Sequence, residues 1–191
     1  MNFGIVVEGE CDKAAYPELI RKVREDAKVV LAVPCGNDIR LMEKFVGWLY
    51  HFEYLSEHPI DKALVVRDSD CSDPAAWEQK MHRILARSRF VPRFPVHFHA
   101  AKCEIESWLL ADANAINQVA KSRGKRGLVP PVAVQLESYR DAKELFRGVL
   151  AKVGLPADPK VYQEIAAAAD IRLIAQRCRH FHNFENAVNS C

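Results

Sequence analysis

The pattern of the chain points to an α/β protein: a four-stranded, mainly parallel, Rossmann-like sheet flanked by helices, with a helical extension after it. Three observations carry this expectation. Four short runs rich in β-branched or aromatic residues have strand length: 3–7 (FGIVV), 29–33 (VVLAV), 63–66 (ALVV) and 96–100 (VHFHA). The first three are apolar throughout, as expected of strands covered on both faces. Between the runs lie stretches of helical periodicity, which makes each connection a right-handed βαβ crossover.

Taken in order, the first strand passes into a helical pattern over 13–24, with Asp12 as its start signal. The second is followed by a pattern over 39–55, opened by Asn37 or Asp38. The third leads to 75–87, opened by Asp73-Pro74, where proline suits the first turn. After the fourth strand the period changes. Residues 104–119 read as a helix and 121–138, with Pro130-Pro131, as a loop. Helical spacing resumes over 141–153, stops at Gly154, starts again behind Asp158-Pro159 and continues over 165–178 and 181–188. The chain thus divides into a sheet domain, residues 1–120, and a helical extension, 121–191, packed on it and not independent of it.

With 49% hydrophobic and 27% charged residues, the 191-residue chain has the balance of a folded globular protein, not a disordered one. Its longest apolar runs are far too short to span a bilayer, so no membrane is expected. The first residues carry no basic lead or small-residue cleavage site, which argues against a secretory signal. The six cysteines stand singly with no Cys-x-x-Cys, so free thiols and a cytoplasmic setting are expected. A net charge of +2 is too small to imply a polyanionic partner without a look at its distribution.

In an open parallel sheet, chemistry gathers beyond the carboxyl ends of the strands. Acids crowd there. The first strand runs into Glu8-Gly9-Glu10-Cys11-Asp12, the third into Arg67-Asp68-Ser69-Asp70 with Asp73 behind, and the fourth is followed by Glu104-Ile105-Glu106. Carboxylates from separate loops are the hard oxygen donors that Mg²⁺ prefers, and a pair of such ions is suited to phosphodiester cleavage. Asp12 and Asp73 also precede helical patterns and read first as helix caps. Glu10 reads as a solvated loop residue, and Glu104 and Glu106 also suit a helix N-terminus.

Glu8-Gly9 after the first strand and Asp68-x-Asp70 after the third resemble the Toprim domain of type IA and II topoisomerases, bacterial primases and the overcoming-lysogenisation-defect (OLD-like) nucleases. The stretches 104–112 (EIESWLLAD) and 170–181 (DIRL…CRHF) are similar to a small stand-alone Toprim-like bacterial family of unknown function. The resemblance implies a site for one or two Mg²⁺ or Mn²⁺ ions. In it Glu8 is the general acid/base or a ligand, and Asp68 and Asp70 are ligands. Glu104, Glu106 and Asp73 are the candidates for completing a second metal site. Lys102 and Lys143 are candidates for the lysine that nuclease relatives hold near the scissile phosphate. The chain leaves no room for the companion domains of topoisomerases or primases. The function implied is a metal-dependent nuclease acting on DNA or RNA, in phage defence or DNA repair. The alternative is a non-catalytic module that binds nucleic acid or nucleotide beside a separately encoded ATPase, since this chain has no Gly-x-x-x-x-Gly-Lys-[Ser/Thr]. A haloacid-dehalogenase-type phosphatase is disfavoured because Glu8 stands where its nucleophilic aspartate would be.

Charge distribution permits a polyanion. No acid lies between Gln79 and Cys103 or between Ala113 and Leu136, yet ten of the 27 basic residues do. Arg83, Arg87, Lys121, Arg123, Lys125, Arg126 and Lys143 are the candidate nucleic-acid contacts, through the salt-dependent phosphate interactions such groups make. Trp48, Trp77 and Trp108 fall on apolar helical faces and are read as core. His97, His99 and Cys103, or Cys178, His180 and His182, match no common zinc spacing.

Overall fold

The computed structural model describes residues 1–190. Strands β1 (Asn2–Val7), β2 (Lys28–Pro34), β3 (Lys62–Asp68) and β4 (Val96–Ala101) form one sheet in the order β2-β1-β3-β4, every pairing parallel. Helices α1 (Glu10–Val23), α2 (Asp38–Tyr54) and α3 (Pro74–Arg87) make the crossovers. The chain steps from β1 outward to β2, then returns past β1 to β3. This reversal falls between β1 and β3, the point at which open sheets of this kind form ligand crevices.

Side chains alternate across the strands, so each face has its own core. Phe3, Ile5, Val7, Leu64 and Val66 pack with Ala15, Tyr16, Leu19 and Ile20 of α1. Val6, Ala63 and Val65 face Leu41, Phe45, Leu49 and Phe52 of α2 and Met81 of α3. Gly4 is required at this second interface. A Cβ there would lie 2.7 Å from the Phe52 ring, too close for any residue but glycine.

The C-terminal helices cover α1 and the first face. They are α4 (Glu106–Leu109), α5 (Ala113–Ser122), α6 (Ala142–Lys152), α7 (Pro159–Ala168), α8 (Ile171–Arg177) and α9 (Phe181–Asn189). Trp108, wholly buried, meets Tyr16, Phe181 and Phe184 with ring centroids 4.9–6.1 Å apart. One continuous core thus runs from Phe3 to Val188, across the boundary drawn at residue 120. Buried Lys62 at the start of β3 donates to the carbonyl of Val188 (3.1 Å) and to Ser190 Oγ (3.3 Å), tying the end of α9 to the sheet.

Three expectations are corrected. The helix over 104–119 is two helices, because Asp112 leaves the helical path to cap α5, accepting from the N–H groups of Asn114 and Ala115. The run over 165–178 is likewise cut at Ala169, where Asp170 caps α8 by accepting from Arg172 N. Asp112 Oδ2 also accepts from Asp170 N, so one carboxylate organises both breaks. Finally, Cys71 and Cys103 form a disulfide, against the expected free thiols, while Cys11, Cys35 and Cys178 are free. The pairing is invisible in a cysteine count: the two residues follow adjacent parallel strands, whose loops emerge side by side. No described helix is long and apolar enough to cross a membrane.

Candidate metal centre

Because β1 and β3 are neighbours, the residues that end them meet. Asp68 N donates to Glu8 Oε1 at 3.1 Å, and Asp68 Oδ1 accepts from Ile105 N at 3.1 Å. Loops sixty positions apart are thereby laced to each other and to the start of α4. Asp12, in the first turn of α1, accepts from Gly9 N at 2.9 Å and so fastens the Glu8-Gly9 turn from the other side. Glu106, almost wholly buried, accepts from the Tyr162 hydroxyl at 2.8 Å through Oε1, while its Oε2 is buried without a hydrogen-bond partner. Tyr16 OH, near the same acids, is also buried and unpartnered.

The electrostatics show carboxylates repelling one another out of water. Burial pushes Glu8 up to about 7, against the opposing pull of Arg67. Burial and then the Glu106 charge push Asp12 up to about 6. Asp68 is held well above the usual carboxylate range by burial and then by Asp12, Glu106 and Glu8. Glu104 is raised by burial, and accepts from Lys143 N at 2.7 Å. Burial works against the Lys143 ammonium, but Glu106, Asp68, Asp12 and Glu104 outweigh it, and its pKa rises. Its Nζ stands 4.0 Å from Glu106 Oε1. One ammonium among four acids leaves the pocket short of positive charge.

Arg67 supplies a second cation at the rim. Its buried guanidinium donates through Nε to Asp68 O (2.7 Å) and lies 3.7–3.9 Å from the carboxylates of Glu8, Asp38 and Asp70. It also stacks 3.8 Å from the centre of the Trp77 ring. Trp77 is therefore only partly buried and serves this contact; it is not a core residue as expected.

Of the expected site residues, the structure gathers Glu8, Asp68, Glu104, Glu106 and Lys143, and adds Asp12. Asp70 points outward, its side chain 74% exposed. Asp73 caps α3 by accepting from Ala75 N. Lys102 is turned away: its Nζ donates to the carbonyls of Ser72 (2.9 Å) and Cys71 (3.4 Å), holding the β3 loop. Arg123 is engaged twice by Glu164 at 2.7 and 3.0 Å. Lys121, Lys125 and Arg126 line an open groove of about 560 Å³ with Asn114 and Asn117, while Arg83 and Arg87 are exposed on α3. His99 is buried against Trp108 and Phe184, and Cys178 Sγ contacts Ser107 O.

Reasoning from sequence passed over Asp12, Arg67, Tyr16 and Tyr162. For Asp12 a signal existed: at a helix start directly behind a strand end, one carboxylate can cap the helix and face the crevice together. Nothing in the sequence placed Tyr162, more than fifty positions beyond its partner.

The donor set is all oxygen and includes a buried orphan carboxylate oxygen, which suits a hard divalent cation. Among the described residues, no three His, Cys, Asp or Glu side chains already stand in an arrangement that would hold a metal ion.

Fold and site together define a doubly wound α/β protein with a cluster of buried acids at its topological switch point. A family model described as a domain of unknown function, DUF4276, matches residues 7–189, and the chain belongs to that family. No curated protein matches the chain. No solved structure matches it.

Proposed function

We propose that the crevice binds one or two Mg²⁺ or Mn²⁺ ions and that the protein is a Toprim-type, metal-dependent nuclease. The observation that carries this reading is the surplus of buried carboxylates, with Glu106 Oε2 left without any partner. An uncompensated buried charge is costly, and a divalent cation is the group that relieves several at once. When bound, such an ion lowers the pKa of a water molecule and offsets charge on the phosphoryl oxygens.

Asp12, Asp68 and Glu106 are the ligands in this reading, with Glu8 beside them and Glu104 at the rim. Tyr162 orients Glu106 through its hydroxyl. Lys143, one of the two lysines expected near the scissile phosphate, faces the same acids and takes that role in place of Lys102, neutralising a phosphate oxygen. Glu8 Oε1 is occupied by Asp68 N, which leaves Oε2 to accept a proton or a cation.

The test is thermal melting followed by cleavage. Saturating Mn²⁺, at about 100-fold its dissociation constant, should raise the melting temperature by roughly 5–10 °C. Asp68→Asn and Asp12→Asn should abolish the rise, whereas Asp70→Ala should only weaken it. Wild type should cleave a labelled oligonucleotide with Mn²⁺ and Asp68→Asn should not. No metal-dependent shift in wild type would overturn the reading.

Among the described residues no three of these acids stand in an arrangement that would hold a metal ion, and this geometry favours a second reading. In that reading the same face binds nucleic acid or nucleotide without cleaving it, beside a partner ATPase. Salt-dependent binding with no cleavage of single-stranded, duplex or nicked substrates would select it.

A further inference from the structure

On the opposite side of the sheet from the C-terminal helices, α2 and α3 present a surface that the carboxylate cluster does not explain. Lys80, Arg83 and Arg87 are exposed and succeed one another at three- and four-residue spacing, so they form a single row along the outer face of α3. The row begins at the crevice. Lys80 Nζ lies 4.6 Å from the Trp77 ring, and the same ring stacks on Arg67, which contacts Glu8. None of the three basic residues has an acidic partner among the described residues; Arg83 makes only a weak bond from Nε to Gln79 O at 3.3 Å.

At the other end of α3 the row meets aromatic rings. Tyr50 and Tyr54, one turn apart on α2, are 51% and 50% exposed and pack with centroids 4.6 Å apart. Phe90 joins them at 5.7 and 6.3 Å. Arg89, held in the left-handed region at φ 59°, makes the turn that brings Phe90 back onto α2. Glu53, on the same helix, is paired: it accepts from Arg93 N at 2.8 Å and lies 3.2 Å from Arg93 Nε. From Trp77 to Arg87 the row covers about 15 Å at 1.5 Å per residue.

We propose that this row is a track for single-stranded nucleic acid, with phosphates over Lys80, Arg83 and Arg87 and a base stacked on Tyr50, Tyr54 and Phe90. A charged groove that tracks the backbone, combined with aromatic faces for bases, is how single strands are bound without sequence readout. Exposed rings favour a strand with unpaired bases over a duplex, whose bases are already stacked. The proposal rests on the nuclease reading for its purpose, since the track leads into the crevice, but its binding is independent of metal.

The test is fluorescence anisotropy with labelled 20-mers of dT, rU and a duplex, in EDTA so that no cleavage occurs. Wild type should bind either single strand at least tenfold more tightly than the duplex. The Tyr50→Ala/Tyr54→Ala variant should lose roughly tenfold in affinity with an unchanged salt slope. Lys80→Ala/Arg83→Ala/Arg87→Ala should reduce the slope of log affinity against log salt by about 2, at about 0.7 per lost phosphate contact. These substitutions are at exposed positions, and unchanged melting will show that the fold is intact. Equal binding of duplex and single strands, or no effect of either variant, would overturn the track. Concentration-dependent self-association lost in the tyrosine variant, without oligonucleotide binding, would instead assign the patch to a second copy of this chain. A metal-induced melting shift without oligonucleotide binding would leave the carboxylate site standing and remove only the track.

Discussion

Glu8, Asp12 and Asp68 carry charge that folding makes harder to hold, and this has a measurable sign. For Glu8 the folded value, about 7, lies above the ordinary 4.5. Its stabilising contribution is present below the unfolded value and is lost as pH rises through about 7. Asp12, at about 6, behaves in the same way. Metal-free protein should therefore melt about 2–4 °C higher at about pH 6.5 than at about pH 8.5, and Mn²⁺ should flatten that alkaline decline. A difference unaffected by metal would separate the pH effect from the site. His99 acts oppositely. Burial holds it down to about 3 from 6.5, so its contribution is present above 6.5 and lost as pH falls towards 3. His99→Phe should blunt the loss of stability on acidification, read by melting between about pH 6.5 and pH 4.

The loops after β3 and β4 are held together more tightly than their lengths require. Besides the Cys71–Cys103 disulfide, Asp70 N donates to Cys103 O (3.1 Å), Cys103 N to Ser69 Oγ (3.1 Å), and Lys102 spans back to Ser72. Asp70, Cys71 and Cys103 all occupy the left-handed region, which non-glycine residues rarely adopt without such support. With the cysteines 32 positions apart, the cross-link should stabilise the fold by roughly 3–4 kcal/mol on the chain-entropy model. Urea melts with and without reductant should differ by that amount, and Cys71→Ser/Cys103→Ser should be insensitive to reductant. The same loops illustrate how far local patterns reach. Asp73-Pro74 and Asp158-Pro159 were legible as helix starts because capping is settled within four residues, and both aspartates cap as expected. Asp112 caps α5 just as locally, but the unbroken helical spacing over 104–119 hid that start, and its second bond, from Asp170 N, forms only after three further helices.

Taken over its full extent, the protein has a core on each face of the sheet, and the C-terminal helices are built into the one that β1, β3 and α1 share. Trp108 is its centre, with Tyr16 of α1 on one side and Phe181 and Phe184 of α9 on the other. Trp108→Ala should cost about 3–5 kcal/mol and lower the melting temperature of the whole chain in a single transition. A second, unaffected transition would show that the extension folds apart from the sheet.

Strand positions, their parallel pairing and the acids at their carboxyl ends could all be read from residue order. A continuously apolar run bounded by turn residues has few other fates, and the loops leaving parallel strands must all emerge at the same edge. The resemblance put Glu8 and Asp68 at one site, but the other acids that face them could not be read, because that depends on strand order and on helices arriving from far along the chain. Neighbouring β1 and β3 join Glu8 to Asp68, α1 turns a capping Asp12 into the pocket, and α7 delivers Tyr162 to Glu106. The exclusion of Asp70 and Lys102, and the pairing of Cys71 with Cys103, result from that same packing. Local pattern sets the kind of group at each strand end; long-range contact sets its neighbours, and with them its charge.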